Sequence, residues 1–155
     1  MAKIAEPNPE FTKKVIEGGP GSDTLMLCYQ CGTCTAACPS GRLTAFRTRQ
    51  LIRKAQLGLK DEIMPTEELW LCTTCYTCVE RCPREVQITD ILFVLRNMAV
   101  KEGHAPAGIK AQRDLVRGQG RIYAIDEFDN KKRNKIDLPS LRTSCEVVKI
   151  LFPEC

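Results

Sequence analysis

Apolar positions along this chain fall into short groups rather than long runs. The cleanest group is Ile91, Val94, Leu95, Met98 and Ala99, which follow the i, i+3, i+4, i+7, i+8 spacing of one helix face. Thr89 is placed to cap that helix and Gly103 to end it. A second stretch, GRLTAFRTRQLIRKAQLGL, sets Leu51, Ile52, Ala55 and Ala45 on one side and Arg42, Arg49 and Arg53 on the other. Its periodicity predicts a single amphipathic helix stopped by Gly58, with the arginines as a solvated face or, alternatively, a docking stripe. Near the start, Asn8 is a natural cap and Pro9 a natural first position for a helix through EFTKKVIE, which Gly18 and Gly19 stop. PTEELW, with Pro65 and two acids, predicts a first helical turn, and residues 107–117 a further helix. DEFDNKKRNKID, Asp126 to Asp137, reads as a solvated charged linker. LPSLRTSCEVVKILFPEC then reads as a docking tail whose apolar residues need a covering surface. Strand-like alternation is absent, so the expected fold class is mainly α.

Cysteine supplies the second pattern. CYQCGTCTAACP, Cys28 to Pro39, returns in the same grammar as CTTCYTCVERCP, Cys72 to Pro83. Iron in a sulfide cubane takes four thiolates at the corners of a tetrahedron, and three cysteines at two-residue gaps let one loop hold three corners. The fourth thiolate comes from elsewhere. In two-cluster proteins with CxxCxxCxxxCP spacing, the fourth cysteine ligates the other cluster, and the proline after it fixes φ and directs the chain away. On that logic Cys28, Cys31, Cys34 and Cys82 hold one 4Fe-4S cluster, and Cys72, Cys75, Cys78 and Cys38 hold the second. Zinc ribbons use CxxC pairs in twos and have no need of the third cysteine with CP. Clusters kept only as structural staples are a second alternative, against which two adjacent clusters argue.

Composition narrows the rest. The 155 residues are 43% hydrophobic, enough for one compact domain with appendages. MAKIAEPNPEF contains no apolar run suited to a signal peptide, so the ten cysteines point to a reducing, cytoplasmic setting and to metal rather than disulfides. No segment approaches the ~20 apolar residues of a bilayer span, and no direct membrane insertion is expected. The formal charge of +4 counts every cysteine as neutral; two clusters at about −2 each bring the total near zero. With 6% aromatic residues, stacking platforms for nucleic acid are not expected. GGPGSD lacks the Lys-Ser/Thr ending of a phosphate loop, and no GxGxxG occurs. A single histidine, His104, excludes haem held by a His pair and Rieske centres. Cys145 and Cys155 lie outside the grammar and read as buried or incidental thiols. Within the loops, Gly32 is expected to let backbone approach a cluster, and Tyr29 and Tyr76 to pack and exclude water. No catalytic base or nucleophile pair is visible.

A helix between the two motifs is not the hairpin linkage of a minimal bacterial ferredoxin. The architecture is similar to the α-helical ferredoxin domain, and nothing like the CxxxxCxxC of a plant-type domain precedes Cys28. From Leu25 to Gly103, CYQCGTCTAACP, the segment ending RKAQLGL, and LWLCTTCYTCVERCPREVQITDILFVLRNMAVKEG closely resemble the C subunit of the heterodisulfide reductases of methanogenic archaea. All eight motif cysteines carry over. The resemblance implies a non-catalytic electron-transfer subunit of an oxidoreductase, with a cluster domain over 25–103. An N-terminal arm (1–24) and a C-terminal extension (104–155) flank it. It implies electrons taken from the flavin-bearing A subunit and passed to the B subunit, which reduces the mixed disulfide of coenzymes M and B in methanogenesis. It also implies larger assemblies with hydrogenase or formate dehydrogenase, in which the flavin subunit bifurcates electrons. The alternative is a relay subunit of another flavin- or quinone-linked dehydrogenase, of glycolate oxidase or thiol:fumarate reductase type.

Overall fold

The computed structural model describes residues 6–142 together with Val148 and Ile150. Cys145 and Cys155, and the remainder of the expected docking tail, fall outside the described residues. The chain divides into two compact units, 1–105 and 106–155. Helices make up the regular structure and no strand occurs among the described residues, in agreement with a mainly α fold.

The first unit begins with α1 (Pro9–Ile16), where Asn8 Oδ1 accepts from the Phe11 amide at 3.1 Å. Phe11 and Val15 form its buried face. A 3₁₀ turn (Ser22–Leu27) leads into the first cysteine loop, which closes on α2 (Thr33–Ala37) and runs into α3 (Pro39–Leu43). Then come α4 (Thr48–Gln56) and α5 (Lys60–Ile63), a second 3₁₀ turn (Glu67–Leu71), the second loop with α6 (Thr77–Glu80), and α7 (Ile88–Lys101). Gly58 ends α4 at φ +71°, and an added Cβ would strike the Asn8 backbone, whose amide donates to the Gly58 carbonyl at 2.9 Å. Glycine is required there on both counts.

Leu51, Ile52 and Ala55 of α4 and Ile91, Leu92 and Leu95 of α7 are buried together with Leu25, Phe46 and Leu69. Each such aliphatic side chain contributes about 1.5–3 kcal/mol on burial. Cys34, Cys38 and Cys78 belong to the same core, and Cys28, Cys72 and Cys82 pack against it half-buried. The cysteine loops are therefore built into the hydrophobic core rather than appended to it.

Three sequence expectations are corrected here. The single helix predicted across Gly41–Gly58 breaks at Thr44, because the Arg47 guanidinium binds the carbonyls of Gly41, Thr44 and Phe46, each at 2.9 Å, and so satisfies the end of α3. Ala45 is exposed and Phe46 takes the core position, while Arg42 sits on α3 apart from Arg49 and Arg53 on α4. Pro65 precedes its helical turn, whose cap is Thr66. Thr89 lies inside α7, not at its cap, which is Gln87.

The second unit contains α8 (Ala107–Gln119) and α9 (Glu127–Asn134). The charged segment expected to be a linker is thus helical, held by a capping box in which Asp126 Oδ1 accepts from the Asp129 amide at 2.8 Å. Asn130 then clamps Leu141 through paired bonds of 2.9 and 2.8 Å. Among the described residues of this unit only Val148 is buried.

Candidate metal centre

The two cysteine loops fold alike. Left-handed backbone recurs at their third and fifth positions: Gln30 (φ +67°) and Gly32 (φ +87°) in the first, Thr74 (φ +54°) and Tyr76 (φ +59°) in the second. Alternating such residues coils the chain so that successive amides face inward, the arrangement of an anion-binding nest. The Thr74 amide accordingly donates to Cys72 Sγ at 3.4 Å. Glycine is not required for close approach, since a Cβ at Gly32 would meet nothing nearer than Arg49 Cδ at 3.8 Å; the positive φ explains it. Tyr29 and Tyr76 are 61% and 42% exposed, not packed inside as expected, because the inner side of each tight loop is taken by amides and sulfur.

The fourth cysteines are also treated alike. Gly41 N donates to Cys38 Sγ and Val86 N to Cys82 Sγ, both at 3.4 Å, and Gln30 Nε2 donates to Cys28 Sγ at 3.4 Å. Cys31 and Cys75 are exposed beside the Thr33 and Thr77 hydroxyls, at 3.4 and 3.5 Å, and those bonds lower both thiol pKa values. Burial does the opposite at the third cysteines, pushing Cys34 up to about 11 and raising Cys78. A buried thiol of that kind becomes thiolate only when a cation replaces its proton.

Cys38, Cys72, Cys75 and Cys78 line one cavity, together with Phe46, Thr48, Tyr76, Thr89 and Leu92. The fourth cysteine of the first motif is thus brought to the first three of the second, over α2 and α6, which pack on each other. On the other side, the Tyr29 hydroxyl is raised in pKa by its hydrogen bond to Cys31 and by the charges of Cys31 and Cys82. Thr89 Oγ1 stands 3.7 Å from Cys78 Sγ inside the core, and Thr48 Oγ1 is buried with no partner. Among the described residues no three Cys, His, Asp or Glu side chains are arranged to hold a single metal ion. Thiols set around a cavity, with amides turned to sulfur and an orphaned hydroxyl, suit a cubane, whose bulk holds its ligands farther apart than one zinc ion does. Such a cluster would supply a one-electron carrier.

Two anchoring residues escaped the sequence reading. Gln56 Nε2 donates to the carbonyls of Leu25 (3.1 Å) and Cys28 (2.9 Å). Arg96 donates to those of Leu69 (3.0 Å) and Cys72 (2.7 Å), and its guanidinium lies 5.7 Å from the Trp70 ring centroid. Leu69 and Cys72 are the counterparts of Leu25 and Cys28 in the repeat, and Arg96 follows Gln56 by forty residues on the matching helix. Each long helix therefore carries one side chain that ties down the entry to one cysteine loop. Aligning the helices as well as the cysteines would have exposed the pair.

Fold and site together are those of an α-helical iron-sulfur protein, and a model described as a 4Fe-4S dicluster domain matches residues 24–86. The chain is 46% identical over 132 residues to the C subunit of the H(2):CoB-CoM heterodisulfide,ferredoxin reductase of Methanothermobacter thermautotrophicus, covering 85% of this chain and 70% of that protein. It is 43% identical over 146 residues to the second iron-sulfur C subunit of the CoB–CoM heterodisulfide reductase of Methanocaldococcus jannaschii, covering 90% and 78%. With the iron-sulfur C subunit of the CoB–CoM heterodisulfide reductase of Methanopyrus kandleri the identity is 47% over 115 residues, covering 74% and 60%. The chain belongs to the family of heterodisulfide reductase C subunits.

Proposed function

We propose that this chain is the electron relay of a CoB–CoM heterodisulfide reductase. It carries two 4Fe-4S clusters, one on Cys28, Cys31, Cys34 and Cys82 and one on Cys72, Cys75, Cys78 and Cys38. The single observation that carries the reading is the gathering of Cys38 with Cys72, Cys75 and Cys78 around one cavity. Sharing ligands across the motifs keeps the two clusters adjacent, as a relay needs. Residues 25–103 form the cluster domain, flanked by the arm with its short helix (1–24) and by an extension (104–155) whose tail docks to a partner.

Electrons enter from the flavin-bearing A subunit and leave to the B subunit, which reduces the heterodisulfide of coenzymes M and B, in methanogenesis. Disulfide cleavage takes two electrons whereas each cluster passes one, so paired clusters suit sequential delivery. This chain orients and insulates its carriers and does no bond chemistry itself. Relatives named for hydrogen, formate or ferredoxin as donor support a larger assembly with hydrogenase or formate dehydrogenase, in which the flavin subunit bifurcates electrons. Among the described residues no helix is long and apolar enough to cross a membrane, and so many free thiols suit the reducing cytoplasm. Anaerobic affinity purification from the native host tests the proposal. Co-purification of a flavoprotein and of a disulfide-reducing subunit, with about eight irons per copy of this chain, is expected; a complex that lacks any disulfide-reducing subunit would overturn it.

A further inference from the structure

The two halves of the site are repeats, yet at one buried position their side chains differ in kind. Thr48 opens α4, is 1% exposed, and lines the cavity of Cys38, Cys72, Cys75 and Cys78. Its Oγ1 has no hydrogen-bond partner among protein atoms. A buried hydroxyl left unpaired costs about 1–3 kcal/mol, so its presence at a core position calls for an acceptor. In the repeat that relates Gln56 to Arg96, the residue matching Thr48 is Ile88, which is also buried but has nothing to donate.

We propose that Thr48 donates its hydroxyl hydrogen bond to the cluster ligated by Cys38, Cys72, Cys75 and Cys78, and that this bond makes that cluster the higher-potential one of the pair. The inference rests on the ligand assignment proposed above. Reduction adds negative charge to a cluster, and a donor aimed at it stabilises the reduced form more than the oxidised one. The amides of Gly41 and Val86 serve Cys38 and Cys82 alike, whereas two side-chain donors lack a counterpart: Thr89 Oγ1, 3.7 Å from Cys78 Sγ on the same side as Thr48, and Gln30 Nε2, 3.4 Å from Cys28 Sγ on the other. The buried hydroxyls of Thr48 and Thr89 thus set two donors on the side of the second loop against the one amide of Gln30 on the first, and give electrons a direction toward the cluster on the second loop.

The test is an anaerobic redox titration, followed by electron paramagnetic resonance, of the cluster-loaded Thr48→Val, Thr48→Ala and Thr48→Ser proteins beside the unaltered chain. Loss of the donor is expected to lower one of the two midpoints by about a tenfold change in the reduction equilibrium, which is ~59 mV for one electron. The other midpoint stays, and Thr48→Ser keeps both. Thr48→Ala serves in the same way should the branched variant lose its clusters. Unmoved midpoints in a hydroxyl-free variant that retains about eight irons would overturn the Thr48 proposal alone. An unaltered chain that holds only about four irons would instead overturn the two-cluster reading beneath it.

Discussion

Replacing Arg96 by alanine tests whether the cysteine loops are held from the helices behind them. Its guanidinium donates at 3.0 Å to the Leu69 carbonyl and at 2.7 Å to that of Cys72, the first cysteine of the second loop. Hydrogen bonds from a charged donor are worth about 1.5–3 kcal/mol each, and the lower figure applies because the side chain is only half-buried. The contact with Trp70, at 5.7 Å from the ring centroid, is near the outer limit of cation–π attraction and adds little to this. Removing the side chain therefore makes local opening of this loop easier by about 3 kcal/mol, on the order of a hundredfold in population. The assay is release of iron to a chelator under anaerobic conditions, followed by the decay of visible absorbance. Half of the iron is expected to leave on the order of a hundredfold faster than in the unaltered protein, provided that loop opening precedes cluster loss. Arg96→Lys should recover only part of the loss, since an ammonium does not reproduce a planar fork spanning two carbonyls. Release at the unaltered rate, or equal acceleration of all the iron, would refute the reasoning.

Gln56→Ala is the matching change at the first loop; with its two bonds to the Leu25 and Cys28 carbonyls lost, and the long ones its Oε1 accepts from Gln30 and Arg53 adding little, it should accelerate release of the other half of the iron by about tenfold, measured in the same assay. Thr74→Gly relieves a β-branched residue held at φ +54°, and should stabilise the loaded protein against thermal loss of its clusters by about 1 kcal/mol. A lower midpoint of thermal bleaching would show that the Thr74 side chain contributes more than its backbone strain costs.

Much of the site was legible because metal ligation imposes a local grammar. Eight cysteines at fixed gaps followed by proline announce iron-sulfur clusters whatever the surrounding fold. The long helix α7 was legible too, since one buried face writes itself at helical period. Long-range polar contacts were not. Arg47 looks like one more exposed arginine until its guanidinium is found gathering three carbonyls, which is what divides α3 from α4. Thr89 has the chemistry of a cap, and only tertiary packing turns its hydroxyl to Cys78 instead. The capping box of Asp126 and Asp129 uses two aspartates within a charge run, so composition masked a short helix. Gln56 and Arg96 carry no local signal, yet their equivalence is written in the repeat.

The crossed ligation is the central claim, and paired substitutions test it most directly. Cys38→Ala should leave one cluster, with about four irons per chain. Adding Cys72→Ala should then change nothing further, because both residues serve the same cluster, whereas adding Cys28→Ala should remove the remaining iron. Iron and sulfide analysis of the two anaerobically assembled double variants decides the matter. If Cys38→Ala with Cys28→Ala keeps about four irons and Cys38→Ala with Cys72→Ala keeps none, each motif holds its own cluster and the interlocked relay is contradicted.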